Sequence, residues 1–327
     1  MTVDQAADAW WQARVVKLRP ATQARYSADL KHVRETFGRR RLTDVSAADV
    51  AAFVSFQQRA GLKGWTVKGH VAVLSAVYAY AGRHLGYTGV NPASLLDRVE
   101  RPSLSDEQPK RILSRDEVGR LLAATTDTYR LMFELAAETG ARQSEVLGLT
   151  WGDGDTGEGT IRFTAQLDRD GRRVPLKTAR SRRSVEITGE LAGKLRALKI
   201  ESAQSGKHDY VFTTRTGSPH GHRNVARALR RAADDAGLGD VERDGEVVEH
   251  APSMHSLRHS HGSALIAAGW DIEEVSARLG HADVATTLRA YVHEYDAARR
   301  SDDRRGRLAA LYSLPPGNTE PVSITRG

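Results

Sequence analysis

The stretch His255-Ser256-Leu257-Arg258-His259, followed by Leu279-Gly280-His281 and then by Tyr291, decides how this chain is read. Together with Arg142 far upstream, it gathers two arginines, His255 and His281, and one tyrosine, with no cysteine and no obvious carboxylate cage for a metal. That inventory suits chemistry on a phosphodiester. Arginine forks bind phosphate oxygens two at a time. Histidine holds or passes a proton near neutral pH, and a tyrosine hydroxyl can act as a nucleophile.

The elements around this stretch are helical. Helices are expected over Arg223–Ala236, Ser256–Ala268, Asp271–Leu279 and Val284–Tyr291, with Asp271 and Glu274 spaced as a capping box. Upstream, Ser114 and Glu117 form another such box, and Leu131–Thr139 and Ser144–Leu149 read as helices separated by Gly140. Strand signals are confined to residues 160–165, 172–177 and 182–187, with Asp170-Gly171 as a hairpin turn. The first hundred residues carry no strand signal. Tyr26, Leu30, Val33 and Phe37 mark one helix that stops at Gly38. Ser46 and Asp49 cap a second leading into Val50, Phe53 and Val54, and Thr66 opens a third that ends at Gly82 or Gly86, before Asn91-Pro92. The prolines and serines up to Pro109 read as a linker.

The fold class is therefore mainly α with a small antiparallel β-sheet. Residues 1–97 form a helical domain, 98–110 a linker, 111–300 a mixed α/β domain and 301–327 a tail. In that tail residues 301–312 read as one more helix, and the chain from Pro315 reads as disordered. At 327 residues each domain can bury its own core. The start of the chain lacks the apolar core of a signal peptide and no apolar run reaches membrane-spanning length, so a cytoplasmic enzyme is expected. Zero cysteines exclude disulfides, thiolate catalysis and cysteine-based metal centres. The formal charge of +7 points to a polyanion. Residues 1–100 hold 14 Lys or Arg against 8 Asp or Glu, an excess of +6 that makes this part the main electrostatic grip.

Each candidate residue alone has a plain structural reading. Arg142, just after Gly140, sits where a helix end could meet a phosphate, or it caps that helix and pairs with Glu145. Lys177 ends a strand amid Arg172, Arg173, Arg182 and Arg183, in a chain of nine lysines against 39 arginines. A lysine can lose its proton beside other cations, which suits it as an acid for a leaving oxygen, although a hairpin lysine is usually a phosphate contact or solvated. His255 and Arg258 share a helix face. His255 and His259 stand at zinc spacing, but no glutamate or carboxylate completes that pattern, and no metal is expected. His281 could cap a helix C-terminus, and Tyr291 could be a core aromatic.

Their order is the stronger signal. Arg…Lys…His-x-x-Arg…His…Tyr, with His-Ser-Leu-Arg-His, Leu-Gly-His and then Thr286-Thr287-Leu288-Arg289-Ala290-Tyr291, resembles the tyrosine recombinases, the phage-type integrases, over about residues 110–295. Residues 5–97 look more loosely like that family's helical core-binding (SAM-like) domain. The resemblance implies that Arg142 and Arg258 clamp the scissile phosphate and stabilise its pentacoordinate transition state. It implies that Tyr291 attacks phosphorus to give a 3′-phosphotyrosyl link and that Lys177 protonates the leaving 5′-oxygen. His255 then assists proton transfer, His281 hydrogen-bonds the phosphate and Glu145 supports the site around Arg142. No cofactor is implied. The partners implied are double-stranded DNA at specific recombination sites and three further copies of the chain, giving a homotetramer on two duplexes that acts through a Holliday junction. An accessory DNA-bending or directionality factor is a further partner class the family admits.

Integrases of the lambda type carry an extra arm-binding domain, for which this chain is expected to have no room, so a compact system with short sites is anticipated. The nearest alternative is a topoisomerase of type IB, with the same tyrosine chemistry but no partner exchange. A catalytically inactive DNA-binding regulator on the same fold is the alternative from another class. Both predict no strand exchange.

Overall fold

The computed structural model describes residues 1–15, 17–104, 111–243 and 245–291, and the chain divides into two compact units between Pro109 and Lys110. The expected tail helix at 301–312 and the segment from Pro315 lie outside the described residues.

The first unit is built on helices: α1 (Val3–Val15), α2 (Pro20–Phe37), α3 (Ala47–Arg59) and α4 (Gly64–His84). Pro20 opens α2 at a position where its missing N–H costs nothing. At the start of α3 the Ser46 hydroxyl accepts from the Asp49 amide at 3.2 Å, and the Asp49 carboxylate accepts from the Ser46 amide at 2.8 Å. That is the expected capping box. Trp10, Leu30, Phe37, Phe53, Leu74 and Tyr78 bury a common core, and the Tyr78 hydroxyl donates to the Leu42 carbonyl at 3.0 Å. Helix α4 starts two residues before the expected Thr66 and passes through Gly82 without a break. The chain turns only at Gly86, with φ +71°, because one glycine inside a well-packed helix costs too little to end it.

The second unit begins with α5 (Arg115–Ala124), α6 (Asp127–Thr139) and the short α7 (Gln143–Leu147). The β region follows as β1 (Gly154–Asp155), β2 (Thr160–Phe163), β3 (Ala165–Leu167), β4 (Arg173–Pro175) and β5 (Arg183–Glu186). The expected single strand at 160–165 is two strands. β2 pairs antiparallel with β5 in the sheet β1-β2-β5, whereas β3 pairs with β4. The change of partner falls at Thr164, whose hydroxyl donates to the Asp153 carboxylate at 3.0 Å. The hairpin turn is also longer than Asp170-Gly171 alone. Leu167 and Arg173 are its last pair, the Asp168 carboxylate accepts from the amides of Asp170 and Arg172, and Gly171 takes φ +78°. The strand expected over 172–177 spans only Arg173–Pro175, so Lys177 lies past its end.

Helices α8 (Gly189–Glu201) and α9 (His222–Asp235) come next, then the hairpin β6 (Val241–Arg243) and β7 (Glu246–Glu249), and finally α10 (Met254–Ala267) and α11 (Ile272–Leu279). Residues 284–291 are helical as well. α8 and the β6–β7 hairpin were not anticipated. α10 packs on α6, and Leu257 from α10 joins Met132, Phe133 and Leu135 from α6 in one buried core. This packing brings Gly140, at the end of α6, beneath Arg258.

Candidate active site

Gly140 ends α6 in the left-handed conformation, φ +63°. A Cβ there would lie 2.6 Å from Leu279 Cδ2 and 2.8 Å from the His261 ring, so glycine is required by backbone conformation and by space. The turn it makes delivers Arg142 to the N-terminus of α7. The backbone amide of Arg142 donates to Glu145 Oε2 at 3.0 Å, its Nη1 donates to Oε1 at 2.8 Å, and Nη2 reaches the Gly280 carbonyl at 3.4 Å. A five-residue helix has a weak dipole, so it is this carboxylate and this carbonyl that aim the guanidinium; of the two readings the sequence offers for Arg142, the geometry carries the pairing with Glu145.

Glu145 is buried. Burial alone would push its carboxyl pKa up; the charge and hydrogen bond of Arg183, followed by those of Arg142, outweigh burial and hold it below the usual value. Arg258, on α10, is only 2% exposed. Its Nη1 donates to the Gly140 carbonyl at 2.7 Å and its Nη2 to the Leu279 carbonyl at 2.6 Å. Burial, then the nearby Arg142 charge, pull its pKa down to about 9, so it stays cationic at neutral pH.

The C-terminal end of α11 organises these cations. The Arg278 carbonyl accepts from Arg183 Nε at 2.6 Å, Leu279 from Arg258, Gly280 from Arg142, and Ala282 from Arg180 Nη1 at 2.9 Å. The last carbonyls of a helix lack internal partners and carry partial negative charge, so they gather guanidinium groups. Two of the four belong to the pair expected to clamp a phosphate.

Gly280 turns the chain at φ +65° and presents His281. His281 Nδ1 pairs with the Thr287 hydroxyl at 2.7 Å. Burial, then the charges of Arg258 and Arg142, push its pKa down to about 3, so the imidazole is neutral at physiological pH. Thr287 is fully buried and was not singled out in the sequence. Its position four residues before Tyr291, on the same face of the 284–291 helix, is the signal that could have found it.

Tyr291 is buried against α10. Its hydroxyl donates to the Arg258 carbonyl at 3.5 Å, and a Cβ on Gly262 would come within 2.5 Å of its ring and oxygen. The ring of His259 lies 5.7 Å from that of Tyr291 and 4.6 Å, edge-on, from that of His255. His255, His259 and Tyr291 thus form a row, whose middle member the sequence reading weighs only for zinc spacing with His255 and gives no catalytic role. His255 itself is exposed and lines a cleft of about 470 Å³ together with Arg142, Ser253, His222 and Arg230. Lys177 is exposed in the turn that follows β4. Five of the seven expected residues come together here: Arg142 pairs directly with Glu145, the Tyr291 hydroxyl donates to the Arg258 carbonyl, and Arg142 and Arg258 donate to the neighbouring carbonyls of Gly280 and Leu279, in the turn that leads into His281. His255 joins them through the cleft and through His259, and Lys177 stands apart on its turn. Among the described residues no group of three or more His, Asp or Glu side chains could hold a metal ion, and no helix is long and apolar enough to cross a membrane.

Comparison with known proteins bears on this arrangement. Residues 111–298 match the Phage integrase family. The chain is 30% identical over 275 residues to the tyrosine recombinase XerC of Xylella fastidiosa (strain 9a5c), across 80% of this chain and 83% of that one. Among solved structures, the Tn1549 transposon integrase in complex with transposon right end DNA superposes with a TM-score of 0.79 at 18% identity, covering 94% of this chain and 100% of that one. A lambda integrase tetramer bound to a Holliday junction gives 0.67 at 19% identity, covering 89% and 77%. At these identities the structural likeness establishes the fold, a helical N-terminal unit followed by a mixed α/β unit.

Proposed function

The chain belongs to the phage integrase family, the tyrosine recombinases, and from that premise we propose how its residues divide the work of cutting and rejoining DNA. It is a site-specific DNA recombinase, an enzyme that transfers DNA strands. The observation that carries the residue assignment is the convergence of Arg142 and Arg258 on consecutive carbonyls, Gly280 and Leu279, beside His281. A phosphate entering here exchanges carbonyl oxygens for its own non-bridging oxygens, which bear full charge and bind guanidinium more strongly. The charge that builds on those oxygens in the pentacoordinate transition state then meets donors already in place.

In the step itself Tyr291 Oη bonds to phosphorus and the bond from phosphorus to the 5′-oxygen breaks, leaving the 3′-phosphate on the tyrosine. The tyrosine proton passes to a base, for which His255 is placed at the cleft, and Lys177 supplies a proton to the leaving 5′-oxygen. The neutral His281 donates to a non-bridging oxygen, and Glu145 keeps Arg142 aimed. Because Tyr291 is buried against Gly262, the 284–291 helix shifts before attack. The phosphotyrosyl link conserves the energy of the phosphodiester, so a 5′-hydroxyl from a second duplex can reverse the step without ATP.

The basic first unit, residues 1–97, supplies a sequence-tolerant grip on the duplex, supported by its charge excess and by exposed Lys63, Trp65 and Lys68 at the start of α4. Because the lambda integrase relative was solved as a tetramer on a Holliday junction, four copies of this chain on two duplexes are the assembly we infer. A location on the nucleoid follows from that substrate.

The test is incubation, in EDTA, with a nicked suicide duplex carrying the site that flanks the coding sequence. A covalent protein–DNA adduct on a denaturing gel, absent in Tyr291→Phe while binding persists, supports the assignment. Tight binding with no adduct overturns it, and an adduct without strand exchange between duplexes indicates a relaxing enzyme of the topoisomerase kind.

A further inference from the structure

Arg183 opens strand β5, where alternation turns it inward on the same side as the buried Val185, while Arg182 and Ser184 face out. Its side chain is 5% exposed, with the guanidinium 4.6 Å above the Phe163 ring. Every nitrogen of that guanidinium is engaged. Nε donates to the Arg278 carbonyl at 2.6 Å, Nη1 to the Ser181 carbonyl at 3.2 Å and Nη2 to Glu145 Oε2 at 2.9 Å. These three acceptors belong to three separate pieces of the site. Arg278 closes the helix that presents His281, Ser181 ends the turn that follows Lys177, and Glu145 aims Arg142.

A second observation ties the same side chain to the His281 turn. A Cβ on Gly280 would lie 3.0 Å from Arg183 Nη1 and 3.1 Å from its Cδ, so the turn is packed directly on this arginine. Loss of the guanidinium therefore removes a hydrogen bond and a packing surface beneath His281 together.

We propose that Arg183 is a positioning residue for DNA strand transfer, holding Arg142, His281 and the turn after Lys177 in one geometry without itself touching the phosphate. The role rests on the recombinase reading above. Bidentate and stacked contacts of this kind need the planar fork of arginine, so lysine replaces it only in part. Misplacement of reacting groups by about 1 Å costs on the order of a hundredfold in rate, and three groups depend on this one. Glu145 adds a signature. Without the Arg183 charge, Arg142 and the more weakly coupled Arg258 are left to oppose the effect of burial, and the carboxyl takes up a proton more readily as the pH falls. A neutral Glu145 releases Arg142.

The experiment compares wild type, Arg183→Lys and Arg183→Gln for melting temperature, binding to the nicked suicide duplex, and the single-turnover rate of adduct formation at saturating DNA between pH 8 and pH 6. The expected result is binding within about threefold of wild type and an adduct rate lowered about a hundredfold in Arg183→Gln and about tenfold in Arg183→Lys. The deficit of Arg183→Gln widens as the pH falls, while that of Arg183→Lys stays constant. Should Arg183→Gln fail to melt cooperatively, Arg183→Lys carries the test through its rate at saturation. Wild-type rates in both variants, or losses that vanish at saturating DNA with an unchanged pH profile, overturn the role. A wild-type protein that forms no adduct overturns the recombinase chemistry itself and this role with it. A wild-type adduct together with unaffected variants removes the role of Arg183 alone.

Discussion

Thr287→Val replaces one hydroxyl by a methyl of nearly the same size at a fully buried position, and it isolates how His281 is oriented. The neutral imidazole allows two arrangements of the 2.7 Å contact between His281 Nδ1 and the Thr287 hydroxyl. If the imidazole donates, Nε2 is left as an acceptor and repels a phosphate. If the hydroxyl donates, Nε2 carries the proton and can give it in a hydrogen bond to a non-bridging oxygen. Strand cleavage requires the second arrangement. Removing the hydroxyl leaves a half-buried ring nitrogen without this partner, at a cost of about 1–3 kcal/mol, and frees the tautomer to change. Since each 1.4 kcal/mol is tenfold in rate, the single-turnover rate of adduct formation should fall by roughly ten- to a hundredfold. Binding of the duplex should hold, because Arg142 and Arg258 are untouched. Thr287→Ser, which keeps the hydroxyl, should recover the rate to within about threefold. A Thr287→Val protein that cleaves at the wild-type rate would refute the reasoning. So would a serine variant as slow as the valine one, because the methyl and not the hydroxyl would then matter.

Two further outcomes follow. Lys177→Ala should cut an ordinary duplex slowly but regain the wild-type rate on a duplex with a 5′-bridging sulfur, a leaving group that needs no acid; failure of that rescue would move the acid to another residue. Acid should also destabilise the second unit through His261, which is half-buried, accepts a hydrogen bond from Arg278 Nε at 3.1 Å and has its pKa pushed down to about 3 by burial and then by the Arg278 charge. Below its ordinary value of 6.5 the unfolded chain takes up a proton that the folded chain refuses until about pH 3, so stability present at pH 7 is lost across that window. The slope is up to about 1.4 kcal/mol per pH unit. Melting temperatures measured from pH 7 to pH 5 should fall in wild type and fall less in His261→Gln; equal slopes would exclude His261 as the cause.

What was legible in the sequence follows from the range of each signal. Capping boxes are local, so Ser46, Ser114 and Asp271 marked helix starts that the structure keeps. The amphipathic spacing of Tyr26, Leu30, Val33 and Phe37 is likewise local, and α2 spans it. The β6–β7 hairpin escaped notice because Glu242, Arg243, Glu246 and Glu249 hide any apolar alternation. The break at Thr164 depends on Asp153, a contact no strand pattern contains. In the site, the residues that carry charge or a nucleophile were visible as an ordered motif. Of those that hold them, Glu145 was visible through its spacing from Arg142, and Arg183 and Thr287 were not. Arg183 looked like one arginine among many until its three acceptors were seen, and Thr287 like an ordinary helix residue until His281 was placed beside it. Both act through contacts spanning distant parts of the chain or a turn whose direction only Gly280 sets.

The central claim is that Tyr291 carries the DNA, and mapping the linkage tests it most directly. The covalent complex formed on the suicide duplex would be digested with nuclease and trypsin and the nucleotide-bearing peptide sequenced by tandem mass spectrometry. Cleavage after Arg289 and Arg299 yields one peptide containing both Tyr291 and Tyr295, so fragmentation must separate the two. A 3′-phosphate on Tyr291 is the expected result. Attachment at Tyr295, at any residue outside this peptide, or through a 5′-phosphate would contradict the mechanism.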